Sequence, residues 1–244
     1  MTQLRAAWRL GLAVLSVLHG LLICALLFPW LKAPQRMRHV GAWSARTLKA
    51  LGIELQVQGV VRPGPVLLVA NHVSWLDILA INAVQPARFV SKADVRRWPV
   101  LGWMVECGGT LFIERERARD AMRVVHQVAQ ALQAGETLAV FPEGTTSDGH
   151  GLLPFHANLL QAAIVTETPA QPIALRYADA DHAVSPAAAY IDDTTLVQSL
   201  WWIACAPRLR VDVVVLAAEG TRHLDRRALA ERLRESISAS LAGC

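Results

Sequence analysis

Two titratable side chains set close together are the first sign of chemistry in this chain. In the segment Asn71-His-Val-Ser-Trp-Leu-Asp77, His72 and Asp77 are separated by four residues. A neutral imidazole is well matched to taking up a proton near pH 7. A carboxylate bonded to its other ring nitrogen fixes the tautomer and stabilises the imidazolium that forms. The pair therefore suits a general-base step in which a hydroxyl oxygen attacks a carbonyl carbon. The same segment has a plainer reading: Ser74 followed three positions later by Asp77 has the spacing of a capping box, where the carboxylate only starts a helix. Ser74 as a nucleophile beside His72 is a weaker use of these residues, and no Gly-x-Ser-x-Gly elbow occurs in the chain.

Three further segments combine turn residues with polar groups. In Gly108-Gly-Thr-Leu-Phe-Ile-Glu-Arg115, glycines lead into an apolar strand that ends in a cation. Arg115 there suits bidentate phosphate binding, or else an ion pair within its own mixed-charge run, Glu114 to Asp120. In Phe141-Pro-Glu-Gly-Thr-Thr-Ser-Asp-Gly149, Pro142 and Gly144 break the strand and leave backbone N–H groups to face a ligand, with Glu143 within reach of hydroxyls. The fourth, Pro169 to Leu175 with Pro172 inside it, reads by itself as an apolar strand. No histidine pair has helical metal-ligand spacing, and the four cysteines are scattered, which argues against a zinc site or a disulfide framework.

The elements that must position these residues follow from periodicity. Short β-rich runs at Ile53–Val57, Val66–Val69, Ala87–Ser91, Thr110–Ile113, Thr137–Phe141, Pro172–Arg176 and Arg210–Leu216 alternate with helical patterns. The helical stretches are Leu76–Ala83, Trp98–Glu106, Ala118–Gln133, His156–Glu167, Thr195–Ala204 and Leu224–Leu241. Such alternation predicts an α/β domain whose mostly parallel sheet is flanked by helices. Ligands of such sheets bind beyond the carboxyl ends of the strands, where His72 and the Phe141 turn fall.

The amino-terminal region is of another kind. Leu10 to Leu31 contains no formal charge, long enough to cross a hydrocarbon core. Arg5 and Arg9 precede it, and Lys32, Arg36 and Arg38 follow. A cleaved signal peptide fits less well, because the run is long and no small-x-small site follows. His19 and Pro29 leave open whether the helix spans or dips into one leaflet. Pro34 to Leu51 forms a second, amphipathic helix with Val40, Trp43, Thr47 and Leu51 on one side and Arg38, Arg46 and Lys49 on the other. It lies on a bilayer surface or packs on the domain with its charges solvated. The chain thus divides into an anchoring segment, 1–51, and a domain, 52–244. Composition agrees: 53% of residues are hydrophobic, 18% are charged and mean hydropathy is +0.32. A net charge of +4 without a basic run fits anionic lipid better than nucleic acid, and no nucleic-acid partner is expected.

In order and separation, the four segments resemble the glycerophospholipid acyltransferase family, best known from lysophosphatidic acid acyltransferases. The similarity covers roughly residues 65–175. Asn71-His72 through Asp77 matches the first family block; Gly109, Phe112, Ile113 and Arg115 match the second; Phe141 to Thr145 match the third; Pro172 stands at the proline of the fourth. The resemblance implies His72 as base, Asp77 as its partner, acceptor-phosphate binding by Arg115, and acceptor contacts from Gly109, Glu143, Gly144, Thr145 and Thr146. It implies an acyl donor on coenzyme A or acyl carrier protein, no metal or other cofactor, membrane lipids as partners, and a catalytic domain on the cytoplasmic side of the inner membrane. Two departures bear on the acceptor. Thr146 stands where these enzymes usually carry arginine, and Pro154-Phe-His-Ala-Asn158 replaces a lysine-containing stretch. Both remove a cation, a feature shared with acyltransferases of lyso-ornithine lipid. The expectation is acylation of lysophosphatidic acid, with lyso-ornithine lipid as the alternative. A non-catalytic membrane-binding module would have no need of His72, Asp77 and Arg115 together.

Overall fold

Val66 to Ala70 has no polar side to offer water, and it becomes a strand buried at every position. The computed structural model, which describes residues 2–113 and 118–243, makes this strand, β2, the centre of the sheet. Val66, Leu68 and Ala70 point into one apolar cluster, Leu67 and Val69 into another. This two-residue alternation demands helices on both faces of the sheet.

Seven strands form one sheet in the order β1-β7-β6-β2-β5-β3-β4. They are β1 (Glu54–Gln58), β2 (Val66–Ala70), β3 (Arg88–Lys92), β4 (Leu111–Ile113), β5 (Thr137–Val140), β6 (Ala170–Ala178) and β7 (Arg210–Val215). β2 pairs parallel with β5 and β6, and parallel pairing continues from β5 through β3 to β4. β7 is antiparallel to β6 and parallel to β1, so the direction reverses at one edge. The α/β class with a mostly parallel sheet is therefore as expected. One face is covered by α3 (Leu76–Val84) and α7 (Leu196–Cys205), the other by α5 (Ala118–Gln133), α6 (Leu160–Val165) and α8 (Arg226–Ala242). α4 (Leu101–Cys107) lies between β3 and β4. Gly135, at φ +85, ends the connection from α5 to β5 as its position predicted.

Two expected helices begin late. Pro99 holds Trp98 in an extended conformation, so α4 starts at Leu101. The His156 N–H is taken by the Pro142 carbonyl at 2.8 Å, and α6 starts only at Leu160.

The amino-terminal helix α1 (Thr2–Leu22) continues through a π turn, Ile23–Leu27, and a 3-10 turn, Phe28–Trp30, before α2 (Ala33–Ala50). Pro29 explains the break, since it lacks an N–H and clashes with the preceding turn. From Gln3 to Trp30 the segment is long and apolar enough to cross a membrane. It also lies against the domain. Arg9 donates to the carbonyls of Ala204 (3.1 Å) and Ala206 (3.0 Å), and Arg5 to that of Cys205 (3.1 Å), filling the free end of α7. Further along, Trp43 of α2 donates to the Ser16 carbonyl at 2.8 Å, and the Ser16 and Thr47 hydroxyls meet at 2.6 Å. α2 is wedged between α1 and α3 with Gly41, Ser44 and Leu48 buried and Arg38, Arg46 and Lys49 exposed. Of the two uses open to it, packing on the domain is the one found. The outward side of α1 carries Leu4, Trp8, Leu15, Leu18, Leu22 and Leu26, an exposed apolar stripe at helical spacing.

Candidate active site

His72 stands just past the carboxyl end of β2, and the helix that follows supplies its partner. Asp77 lies in the first turn of α3 and is wholly buried. Its Oδ2 accepts from the ring Nδ1 of His72 at 2.8 Å and from the backbone N–H groups of Val73 (2.7 Å) and Ser74 (2.9 Å). Both readings of the segment are thus realised on one oxygen. The Ser74 N–H bond is half of a capping box, but the Ser74 hydroxyl, buried and without a hydrogen-bond partner, does not complete it. With Nδ1–H donating to the carboxylate, Nε2 keeps the lone pair and is the basic nitrogen.

The ring is held from other sides as well. It stacks on Phe141 at a centroid distance of 4.0 Å and an angle of 9°, and Phe141 stacks in turn on Phe89 at 5.8 Å. β2 and β5 are neighbours in register, Val69 opposite Val140, so His72 and Phe141 leave the sheet side by side. The imidazole keeps 19% of its side chain exposed, enough for a substrate hydroxyl to reach it. The His72 backbone is pinned too: its carbonyl accepts the Ser147 N–H at 2.8 Å, and its N–H donates to Glu143 Oε1 at 2.7 Å.

Glu143 has a different place from the one its motif implied. It is buried, and its second oxygen accepts the Leu153 N–H at 2.8 Å. Burial pushes its carboxyl above the usual glutamate range, with the N–H groups of Leu153 and His72 pulling the other way. Its carboxylate thus ties together the His72 segment, the Phe141 turn and the loop at Leu153. Gly144, at φ +73, shapes that turn, and Thr145 is exposed beside it. The Thr146 hydroxyl donates to the Tyr190 carbonyl.

Gly109 is not brought to His72. The register of β5, β3 and β4 sets it level with Leu67, toward the amino ends of the strands. There its carbonyl accepts from Arg88 Nε at 2.7 Å, and its φ is +79. Arg115 lies outside the described residues. Ile113 closes β4 at the same edge of the sheet as His72, opposite Lys92, an exposed cation at the end of β3.

Several members of the site take no role from the sequence alone, Asn71 although it belongs to the first matching block. Asn71 bonds both backbone groups of Leu175, its Oδ1 accepting at 2.8 Å and its Nδ2 donating at 2.9 Å, and so fastens β2 to β6 just below the base. Tyr177, on β6, donates its hydroxyl to Asp77 Oδ1 at 2.7 Å. The stretch after β6 folds back over the site, where the Tyr190 N–H meets the Val73 carbonyl at 3.0 Å.

A buried carboxylate, an oriented imidazole and a turn held against both form a base for deprotonating a hydroxyl, and the sequence comparisons give this arrangement a family. A family model described as Acyltransferase matches residues 53–176, the span from β1 into β6. The chain belongs to the acyltransferase family. Its sequence is 37% identical to the lyso-ornithine lipid O-acyltransferase of Pseudomonas aeruginosa, over 86% of this chain and 81% of that one. It is 41% identical to the 1-acyl-sn-glycerol-3-phosphate acyltransferase of Neisseria gonorrhoeae, over 85% and 82%. The crystal structure of the 1-acyl-sn-glycerophosphate (LPA) acyltransferase of Thermotoga maritima shares the fold, with a TM-score of 0.74 over 100% of this chain and 97% of that one, at 19% identity. The resemblance read from the four segments is thereby shown at the level of the family: this is an acyltransferase whose relatives include enzymes named for lyso-ornithine lipid and for 1-acyl-sn-glycerol-3-phosphate.

Proposed function

We propose that this acyltransferase moves a fatty acyl group from a thioester, on coenzyme A or acyl carrier protein, to the free hydroxyl of lysophosphatidic acid. The observation that carries the mechanism is the His72–Asp77 contact, which leaves Nε2 free to act as a base. Nε2 takes the acceptor's hydroxyl proton as that oxygen attacks the thioester carbonyl. The tetrahedral adduct collapses, the C–S bond breaks, and the departing sulfur takes the proton back from the imidazolium, which restores the neutral base. An ester and a thiol result. Asp77 stabilises the imidazolium throughout. Arg115, by its family position, and Lys92, by its place at the same sheet edge, are the cations assigned to the acceptor phosphate.

A second reading has its own support. Thr146 is uncharged and spends its hydroxyl on the Tyr190 carbonyl, so no guanidinium serves the acceptor at that position. This favours a head group with less negative charge, such as that of lyso-ornithine lipid. Purified protein offered a set of lysolipids with each acyl donor, with products read by lipid mass spectrometry, tests both readings. Formation of phosphatidic acid supports the first. Acylation of lyso-ornithine lipid with lysophosphatidic acid untouched replaces it by the second.

The membrane arrangement follows from α1. Because its arginines are fastened to α7 and its middle to α2, α1 runs along the polar domain and cannot cross the bilayer without dragging that domain into hydrocarbon. It lies in one leaflet with the stripe from Leu4 to Leu26 in lipid. The domain sits on the cytoplasmic side of the inner membrane, where acyl donors are made.

A further inference from the structure

We propose that Tyr177 is a positioning residue that sets the basicity of His72 through Asp77. The inference rests on His72 being the base and extends that reading to a residue 100 positions away from Asp77. The Asp77 carboxylate is closed off from water. On Oδ2 it accepts His72 Nδ1–H and the N–H groups of Val73 and Ser74; on Oδ1 it accepts the Tyr177 hydroxyl. The first three donors arise from the local turn and come with the motif. The fourth arrives from β6, across the sheet, and is a side chain that can be changed without touching the turn.

Chemistry gives this fourth bond a defined effect. A hydrogen bond to a carboxylate stabilises its charge and lowers its pull on any other proton it shares. Tyr177 therefore shares the Asp77 charge and weakens the hold of that carboxylate on the imidazole N–H. The phenol is fully buried, and burial together with the Asp77 charge holds its pKa well above the usual range, so it remains a donor at every working pH. Asp77 is fully buried, so bulk solvent does not take over the bond when the hydroxyl is lost. The other titratable group facing the dyad among the described residues is Glu143, on the turn after β5. α3 contributes Asp77 itself, β3 and β5 present the Phe89 and Phe141 rings, and β6 brings Tyr177. Glu143 is common to wild type and a Tyr177 variant, so their difference isolates the phenol.

The test compares wild type with Tyr177→Phe in mixed micelles, reading kcat/KM for acyl transfer across the acid limb of the pH profile. Without the phenol, Asp77 pulls harder on the imidazole proton, and the acid limb moves to higher pH by about one unit. kcat on the plateau, where the ring is already neutral, changes far less than the acid limb, and acceptor KM stays unchanged because the phenol is fully buried. An acid limb that does not move, even with lower melting temperature, gives Tyr177 a merely structural role and overturns the proposal. So does a change confined to KM. Should Tyr177→Phe fail to fold, 3-fluorotyrosine labelling supplies the converse measurement. The chain has two tyrosines, so in a Tyr190→Phe background the label falls on Tyr177 alone. A more acidic phenol donates more strongly and moves the acid limb to lower pH than in the unlabelled Tyr190→Phe protein; no movement overturns the proposal. His72→Ala separates the two levels: if it stays active, the base assignment fails and this inference with it, whereas an inactive His72→Ala beside an unmoved acid limb refutes Tyr177 alone.

Discussion

Replacing Asp77 with asparagine removes one charge and almost no volume, and the structure says what that charge does. Its Oδ2 serves three donors, the His72 ring and the N–H groups of Val73 and Ser74. An asparagine carbonyl in the same place still accepts from the backbone N–H groups of Val73 and Ser74, so the turn into α3 is kept. The amide cannot stabilise an imidazolium. Two unit charges about 4 Å apart in surroundings of effective dielectric about 20 attract by about 4 kcal/mol. The neutral ring of the resting enzyme does not feel this attraction, but the protonated ring in the transition state does. A loss of about 4 kcal/mol corresponds to about a thousand-fold in kcat. The assay is steady-state acyl transfer followed by thiol release, beside a thermal melt of the same preparation. Expected are a melting temperature within a few degrees of wild type and a kcat lower by about three powers of ten. An Asp77→Asn enzyme with more than about a tenth of wild-type kcat would show that the carboxylate is only a helix cap, and the reasoning would fall.

Three other outcomes are expected. Glu143→Gln keeps one acceptor but turns an amide donor toward the Leu153 or His72 N–H, costing about 1.5–3 kcal/mol in stability with a matching loss of activity. Because burial raises the folded-state pKa of Glu143, its contribution to stability is present below the usual glutamate range and lost as pH rises through the raised value. Melting temperature in Glu143→Gln should therefore decline less over that window than in wild type. Leu15→Glu with Leu22→Glu places two charges on the exposed stripe of α1, each opposed by about 2–3 kcal/mol in lipid, and vesicle flotation should find the protein released. Thr146→Arg exchanges the tether to Tyr190 for a cation: it should lower KM for lysophosphatidic acid and impair any reaction with lyso-ornithine lipid, and a ratio of the two activities that does not move would dissociate Thr146 from acceptor choice.

What the sequence could disclose depended on how local the determinant was. β2, β5 and α3 were legible because Val66–Ala70, Thr137–Val140 and Leu76–Val84 each declare their state over a few residues. The His72–Asp77 contact was legible because a single helical turn closes it. Tyr177 was not, since a tyrosine in an apolar strand has no pattern of its own, and its partner is reached only when β6 comes to lie beside β2. Glu143 was found but given to the acceptor, because polarity in a turn says nothing of which way a side chain points; here it points inward, to two backbone amides. Gly109 belonged to a matching motif, yet strand polarity carries it to the end of β4 remote from the base. The reversal at β7 was likewise invisible, as composition does not encode the direction of a strand.

The junction between α2 and α3 has a mechanical consequence. A Cβ on Gly41 would lie 2.7 Å from the Pro86 ring and 3.0 Å from the Asn82 carbonyl, so α2 approaches the end of α3 and the proline after it more closely than any side chain at position 41 would allow. α3 carries Asp77 at its other end, and α2 is bonded to α1. The base is therefore joined to the apolar amino-terminal helix through two closely packed helices, like a tool on a short arm. Under the proposed membrane arrangement, this junction sets the distance between His72 and the lipid that α1 contacts.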